Sequence, residues 1–387
     1  MKKILINASN ISTGGGLQVA NGIIQYLLRE ENSSLDCSFL VSQPLLNLIR
    51  SSGIDLTNKK IFMLPRVSFF SVFNPYKKAK FKAILGRQNP DLVYTIFGPF
   101  YYSVGDVKHI VGIAEPWILY SSENAWASLG LLKKVRLKFE IFLKTLILRK
   151  YVFLWTETEV AKTALVNKFS KIPINISVIP NKPFLLEYYK EQAIINEIIK
   201  KNLSVSNGLE IIYPAYPHVH KNFYFLIDVL SHFKQTYADV PFRIKLTLPK
   251  GNKATASILD YAASKNLSTN IINLGTLSTD MLVREYIASN LLFFPSLLEV
   301  SSATITEAMF TKTLVLAPDL FFNKEPVRGA AVFYSPNATC QQIADIIFSI
   351  FSDYSKYLHS IELSHSLANN FARLDTYKMH LDMLTDA

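Results

Sequence analysis

The stretch Leu291–Asp319, LLFFPSLLEVSSATITEAMFTKTLVLAPD, leaves this chain little freedom of fold. Leu291 to Phe294 is a short apolar run of the kind that forms a buried parallel strand. Pro295 and Ser296 stop it. Ser301 or Ser302 can cap a helix that Thr304 to Thr311 continue, and Leu314 to Ala317 reads as the next strand. Strand, loop, helix and strand in succession place the stretch in an α/β domain with a parallel sheet. Glu299 falls in the loop and Glu307 about a turn and a half into the helix, an E-x7-E spacing. Between them the helix start offers free N–H groups and a positive dipole end. Phosphate on the helix end with sugar hydroxyls on the carboxylates suits that arrangement. Two glutamates at this spacing are also common as plain surface charge. Their place at the C-terminal end of a strand, where open α/β sheets bind ligands, favours the functional reading.

At 387 residues, 49% of them hydrophobic, the chain can fill two ordinary domain cores. Two cysteines, Cys37 and Cys340, sit in different halves and make no disulfide frame, which fits a reducing compartment. The sequence has no C-x-x-C, no H-E-x-x-H and no D-x-D triplet, and no metal is expected. Residues 1–10, MKKILINASN, read as a strand rather than a leader, and no apolar run reaches membrane-spanning length. The expected location is therefore cytoplasmic.

Lys3 to Asn7, a glycine loop with Gly14, Gly15 and Gly16, and an amphipathic run from Leu17 to Leu27 form a first strand–turn–helix. Such a loop lets the backbone approach a phosphate, and it also serves as a plain tight turn. Ser38–Val41, Asp91–Thr95, His109–Ile113, Tyr151–Trp155 and Ile176–Ile179 read as further strands. Glu115 and Trp117 lie at the ligand edge after the strand that His109 begins, while His109 itself reads as structural. Past a hinge near residues 181–205, Leu209–Tyr213 opens a second α/β unit. Its loop carries His218, His220, Lys221 and Asn222, followed by a helix from Phe223 to Phe233. Strands at Phe242–Leu248 and Ile271–Leu274 follow, the latter running into Gly275. After the Leu291–Asp319 stretch, Glu325–Tyr334 reads as a short strand and Ala338–Phe351 and Ser360–Leu384 as helices.

PSLLEVSSATITEAM resembles the E-x7-E signature of retaining GT-B glycosyltransferases of family four, matching at Pro295, Ser296, Glu299, Glu307, Ala308 and Met309. Val300, Ser301 and Ser302 replace its glycine–aromatic–glycine part. The resemblance implies a GT-B fold: α/β, two Rossmann-like domains facing across a cleft. The implied bounds are an acceptor- or membrane-facing domain over 1–185, a nucleotide-sugar donor domain over 186–365 and a helix over 366–387 crossing back. It also implies transfer of a hexosyl unit from a nucleoside diphosphate sugar, a substrate and not a cofactor, with retention and without metal. The implied acceptor is a lipid-linked precursor of a bacterial surface polysaccharide such as O-antigen or capsule. Glu307 would hold the donor ribose, Glu299 the donor sugar and Lys221 the diphosphate. The amides of Ser302, Ala303 and Thr304, with Gly15, Gly16 and Gly275, would complete the donor site, and Glu115 and Trp117 would face the acceptor. The arginine expected near Tyr216 and the histidine expected at Ala114 are missing. His218 or His220 is a candidate substitute for the arginine. Two other readings remain open at this stage: a GT-B sugar-nucleotide epimerase, and a catalytically silent protein that binds sugar nucleotides or a lipid surface.

The net charge of +11 is uneven. Residues 1–185 hold 24 Lys and Arg against 11 Asp and Glu, whereas residues 186–387 hold 17 against 19. The first half is expected to face an anionic surface. Within it, LLKKVRLKFEIFLKTLILRK (131–150) sets Leu132, Val135, Phe139, Phe142, Leu143 and Leu146 on one helical face. Lys133, Lys134, Lys138 and Lys144 lie toward the other. The expectation is an apolar face against the core and a lysine face on anionic lipid of the inner leaflet, making the protein peripheral to the membrane. No zinc finger, RNP or helix-turn-helix signal supports a nucleic-acid partner.

Overall fold

A computed structural model describes residues 1–29, 35–65, 67 and 74–387. The chain divides into two compact units. One comprises Met1–Tyr120, Leu132–Asn181 and Asp375–Ala387, the other Ser121–Leu131 and Lys182–Leu374. The chain passes between the units after Tyr120, Leu131, Asn181 and Leu374.

The first unit contains, among the described residues, strands β1 (Lys2–Ala8), β2 (Leu35–Val41), β3 (Lys60–Met63), β4 (Leu92–Thr95), β5 (Lys108–Gly112), β6 (Phe153–Thr156) and β7 (Asn175–Val178). They form one sheet in the order β3-β2-β1-β4-β5-β6-β7, all neighbours parallel. The second unit has β8 (Leu209–Tyr213), β9 (Phe242–Leu246), β10 (Ile271–Asn273), β11 (Leu291–Phe293), β12 (Leu314–Pro318) and β13 (Val332–Tyr334). Their order is β10-β9-β8-β11-β12-β13, again wholly parallel. Strand order therefore reverses between β1 and β4 in one sheet and between β8 and β11 in the other, the switch points at which doubly wound sheets open a crevice. Near-continuous apolar runs such as Ile4–Ile6 and Leu291–Phe294 are fully buried, as strands covered by helices on both faces require.

Two sequence expectations give way. Glu325 is not in a strand: Phe321–Val327 is a helix, and β13 starts only at Val332. Gly329, at φ +88°, makes the turn between them. The helix Leu131–Leu148 is present, but its apolar stripe does not pack inward. Leu132 is 87% exposed, Phe139 60% and Phe142 58%. Its inward face carries Lys144 and Leu148 instead. Lys144 is drawn in by Glu115 and Glu140, at 2.7 and 2.8 Å. Burial alone would lower the ammonium's pKa, but the two carboxylates hold it above its ordinary value.

The helix Thr376–Asp386 completes the core of the first unit. Leu384 is fully buried there, and His380 Nδ1 meets the Tyr94 hydroxyl at 2.8 Å. Gly22, in the helix Gly15–Arg29, allows the close approach, since a Cβ at that position would lie 2.3 Å from the Tyr377 hydroxyl.

Candidate active site

Two loops and the first turn of a helix converge at the β8/β11 switch point of the second unit. The loop after β8 ends in a short 3-10 turn, Val219–Lys221, and Asn222 at φ +60° caps the helix Phe223–Thr236. Only glycine, asparagine or aspartate adopts that left-handed conformation routinely, which is the physical reason for an asparagine after Lys221. The loop after β11 is tied to it by Leu297 N–H donating to the His220 carbonyl at 2.8 Å, with Ser296 Oγ 3.2 Å from the same oxygen. Thr304 Oγ1 donates to the Pro214 carbonyl at 3.3 Å, fixing the first turn of the helix Ala303–Phe310 against β8.

These ties bring Lys221 and Glu299 together. Lys221 Nζ lies 2.5 Å from Glu299 Oε1, and Ser296 Oγ donates to that oxygen at 2.5 Å. Glu299 is 8% exposed, so its charge depends on these two partners. Tyr213 from β8 donates its hydroxyl to the Lys221 carbonyl at 2.9 Å and sets the backbone from which the lysine reaches. Ser302 caps the helix by accepting from Ile305 N–H at 3.4 Å. Among the described residues the amides of Ser302, Ala303 and Thr304 find no backbone acceptor, leaving donors at the helix's positive end.

Glu307 projects from the same helix one turn further on. Tyr286, from the helix Thr279–Ile287, donates to its Oε2 at 3.0 Å, leaving Oε1 available. Burial pushes the Glu307 carboxyl up to about 7, against the opposing effect of the Tyr286 hydroxyl. His218 and His220 stack at 5.5 Å between centroids, with Tyr216 4.8 Å from His218. Burial lowers both imidazoles, His220 to about 4. Both are neutral near pH 7 and supply hydrogen bonds but not the charge of an arginine. Gly275, at φ +75°, turns the chain after β10 with Lys250 alongside.

The remaining expected site residues lie in the first unit. Gly15 and Gly16 open the helix after β1, and Trp117 sits in the short helix Pro116–Leu119 after β5. Glu115 engages Lys144 through both oxygens, at 2.7 and 2.8 Å. His109 bonds Thr95 Oγ1 through Nε2 at 2.8 Å, and burial lowers it to about 3.

Tyr286 and Tyr213 stand in no motif: Tyr286 reaches Glu307 from a neighbouring helix, and Tyr213 ends a strand whose apolar run gives no sign of its hydroxyl's partner. Ser296 stood inside the motif without an assigned role. Among the described residues no cluster of His, Cys, Asp and Glu is arranged to hold a metal, and no helix is long and apolar enough to cross a membrane.

Residues 194–370, most of the second unit, match the family of glycosyl transferases group 1. A search among curated proteins finds no match. Among solved structures, Anabaena Alr3699/HepE in complex with UDP-glucose superposes with a TM-score of 0.69 at 16% identity, covering 100% of both chains. WaaG, a glycosyltransferase involved in lipopolysaccharide biosynthesis, gives 0.71 at 13% identity over 99% of this chain and 100% of its own. A glycosyltransferase from Rickettsia africae gives 0.66 at 17% identity over 100% and 98%. The likeness extends over the whole chain and establishes the expected fold, the two Rossmann-like domains of GT-B proteins.

Proposed function

We propose that the chain is a retaining, metal-independent glycosyltransferase that moves a hexosyl unit from a nucleoside diphosphate sugar to a sugar hydroxyl of a lipid-linked glycan. The observation that carries the reading is the Lys221–Glu299 pair at a sheet switch point, in the loops that lead to a helix start where the amides of Ser302–Thr304 have no backbone acceptor among the described residues. Cation and amides offset charge on the departing diphosphate, a term that commonly dominates such catalysis. Glu307 takes ribose hydroxyls on Oε1, and Glu299, released in part by Lys221 as the diphosphate arrives, orients the donor sugar. The acceptor binds at the first sheet's C-terminal edge, near Glu115 and Trp117. UDP-glucose in the HepE complex and lipopolysaccharide in the role of WaaG support a nucleotide-sugar donor and a surface-glycan acceptor.

The exposed stripe Leu132, Val135, Phe139, Phe142 and Leu146, flanked by exposed Lys133, Arg136 and Lys138, supports peripheral binding to an anionic inner leaflet. The apolar side chains enter the interface and the cations meet headgroups, the reverse of the orientation expected from sequence.

A transfer assay with UDP-glucose and other nucleoside diphosphate sugars on Glu307→Ala and Lys221→Ala, each checked for folding by circular dichroism, tests the assignment. Wild-type rates in both variants would remove it. A second reading, a silent sugar-nucleotide binder, is favoured by the engagement of Lys221 with Glu299. Nucleotide-sugar binding without turnover by the wild-type chain would establish it.

A further inference from the structure

A cavity of about 600 Å3 lies in the first unit beside the starts of β5 and β6. Lys78, Lys108 and Lys150 line it, and among the described lining residues there is no carboxylate. Lys108 donates to the Ala387 carbonyl and stands 4.2 Å from the centre of the Phe153 ring. The ammonium groups of Lys78 and Lys150 have no partner among the described residues. Tyr101, Tyr102 and Tyr151 supply aromatic wall, and the Tyr151 ring is fixed by its hydroxyl donating to the Phe100 carbonyl at 2.7 Å. Like charges around a concave surface create a positive field that an anion relieves. A lone phosphate would fill little of this volume, which is in the usual range for small-molecule sites.

We propose that this cavity binds a phosphate ester with a sugar-sized body, its phosphate on Lys78 and Lys150 and its apolar face on the tyrosines. The site does not depend on the proposed transfer reaction, for none of the residues assigned to donor or acceptor lines it. The ester can come from a soluble sugar phosphate or from a lipid headgroup. The second source is within reach because Ile147 of the cavity directly follows Leu146 of the exposed stripe and Lys150 lies four residues beyond it.

Calorimetric titration of the full chain with glucose-1-phosphate, and co-sedimentation with phosphatidylcholine vesicles with and without phosphatidylglycerol, separate the sources. The test variant is Lys78→Ala/Lys150→Ala, two exposed positions outside the core; the charge-matched control is Lys59→Ala/Lys171→Ala. Each lysine removed is expected to weaken binding roughly tenfold, from the usual strength of a charge-assisted hydrogen bond. Loss of glucose-1-phosphate binding in the test variant alone establishes a soluble ligand. Loss of phosphatidylglycerol-dependent sedimentation in the test variant alone establishes a headgroup. If neither probe distinguishes test variant from control, the site does not exist as described.

Discussion

Glu307→Gln separates the stability of the second unit from its chemistry. Burial raises the Glu307 carboxyl from 4.5 to about 7. Between those values the folded chain binds more protons than the unfolded one, so stability falls as pH rises through this window and stays lower above it. A shift of this size corresponds to about 3 kcal/mol at pH 8. That figure is an upper limit, because the carboxylate keeps some access to solvent. Glutamine retains an oxygen to accept from Tyr286 but carries no charge. The variant should therefore match wild type below pH 4.5, where the glutamate is neutral in both states, and exceed it at pH 8. For a unit of this size the gain is about 6–12 °C in melting temperature at that limit. Scanning calorimetry at pH 4 and pH 8 on both proteins measures it. The same substitution removes the charge proposed to hold the ribose, so affinity for a nucleoside diphosphate should drop about tenfold to a hundredfold. A melting difference equal at the two pH values would refute the argument that a desolvated carboxylate sits at this position.

Lys221→Ala leaves Glu299 buried with Ser296 alone, and should cost about 3 kcal/mol by urea denaturation; adding Glu299→Ala should restore most of the stability but none of the transfer activity. His220 and His380, lowered by burial to about 4 and about 3, bind more protons unfolded than folded. Stability should therefore fall as pH drops below 6.5 through those values, and His380→Gln should flatten that slope in acid melts. Leu132→Gln/Phe139→Gln/Phe142→Gln should leave the melting temperature within about 2 °C, these side chains being exposed, yet weaken flotation with anionic vesicles by tenfold or more per residue. Gly22→Ala should destabilise the first unit by about 1–3 kcal/mol through its clash with Tyr377, and Tyr377→Leu should recover part of that in the double variant.

Local pattern carried much of the architecture. The apolar runs of β1, β8, β11 and β12 and the Ser302 cap are short-range features, and Lys221, Glu299 and Glu307 occupy the loops and helix their spacing indicated. Periodicity located the stripe on the helix Leu131–Leu148 but has no sign: it says that apolar side chains share a face, not which way that face points. The decision rests with Glu115, distant in sequence, whose pairing with Lys144 turns the lysine inward. Tyr286 on Glu307 and the transfer of Ser121–Leu131 to the second unit are long-range in the same sense. In the latter, Asn124 Nδ2 donates to the Pro336 carbonyl at 3.1 Å, a bond no local signal announces.

The discontinuity of the first unit bears on how the protein is made. Its core is closed by Tyr377, His380 and Leu384, yet the ribosome delivers these only after the whole run Lys182–Leu374. At ordinary elongation rates that interval is about 10–40 s. During it the groove at Gly22 and the ring of Tyr94 lack their cover, so the second unit, though it starts later, is the first able to finish folding. Nascent chains arrested just short of Asp375 should therefore yield a protease-resistant second unit attached to a digestible first one.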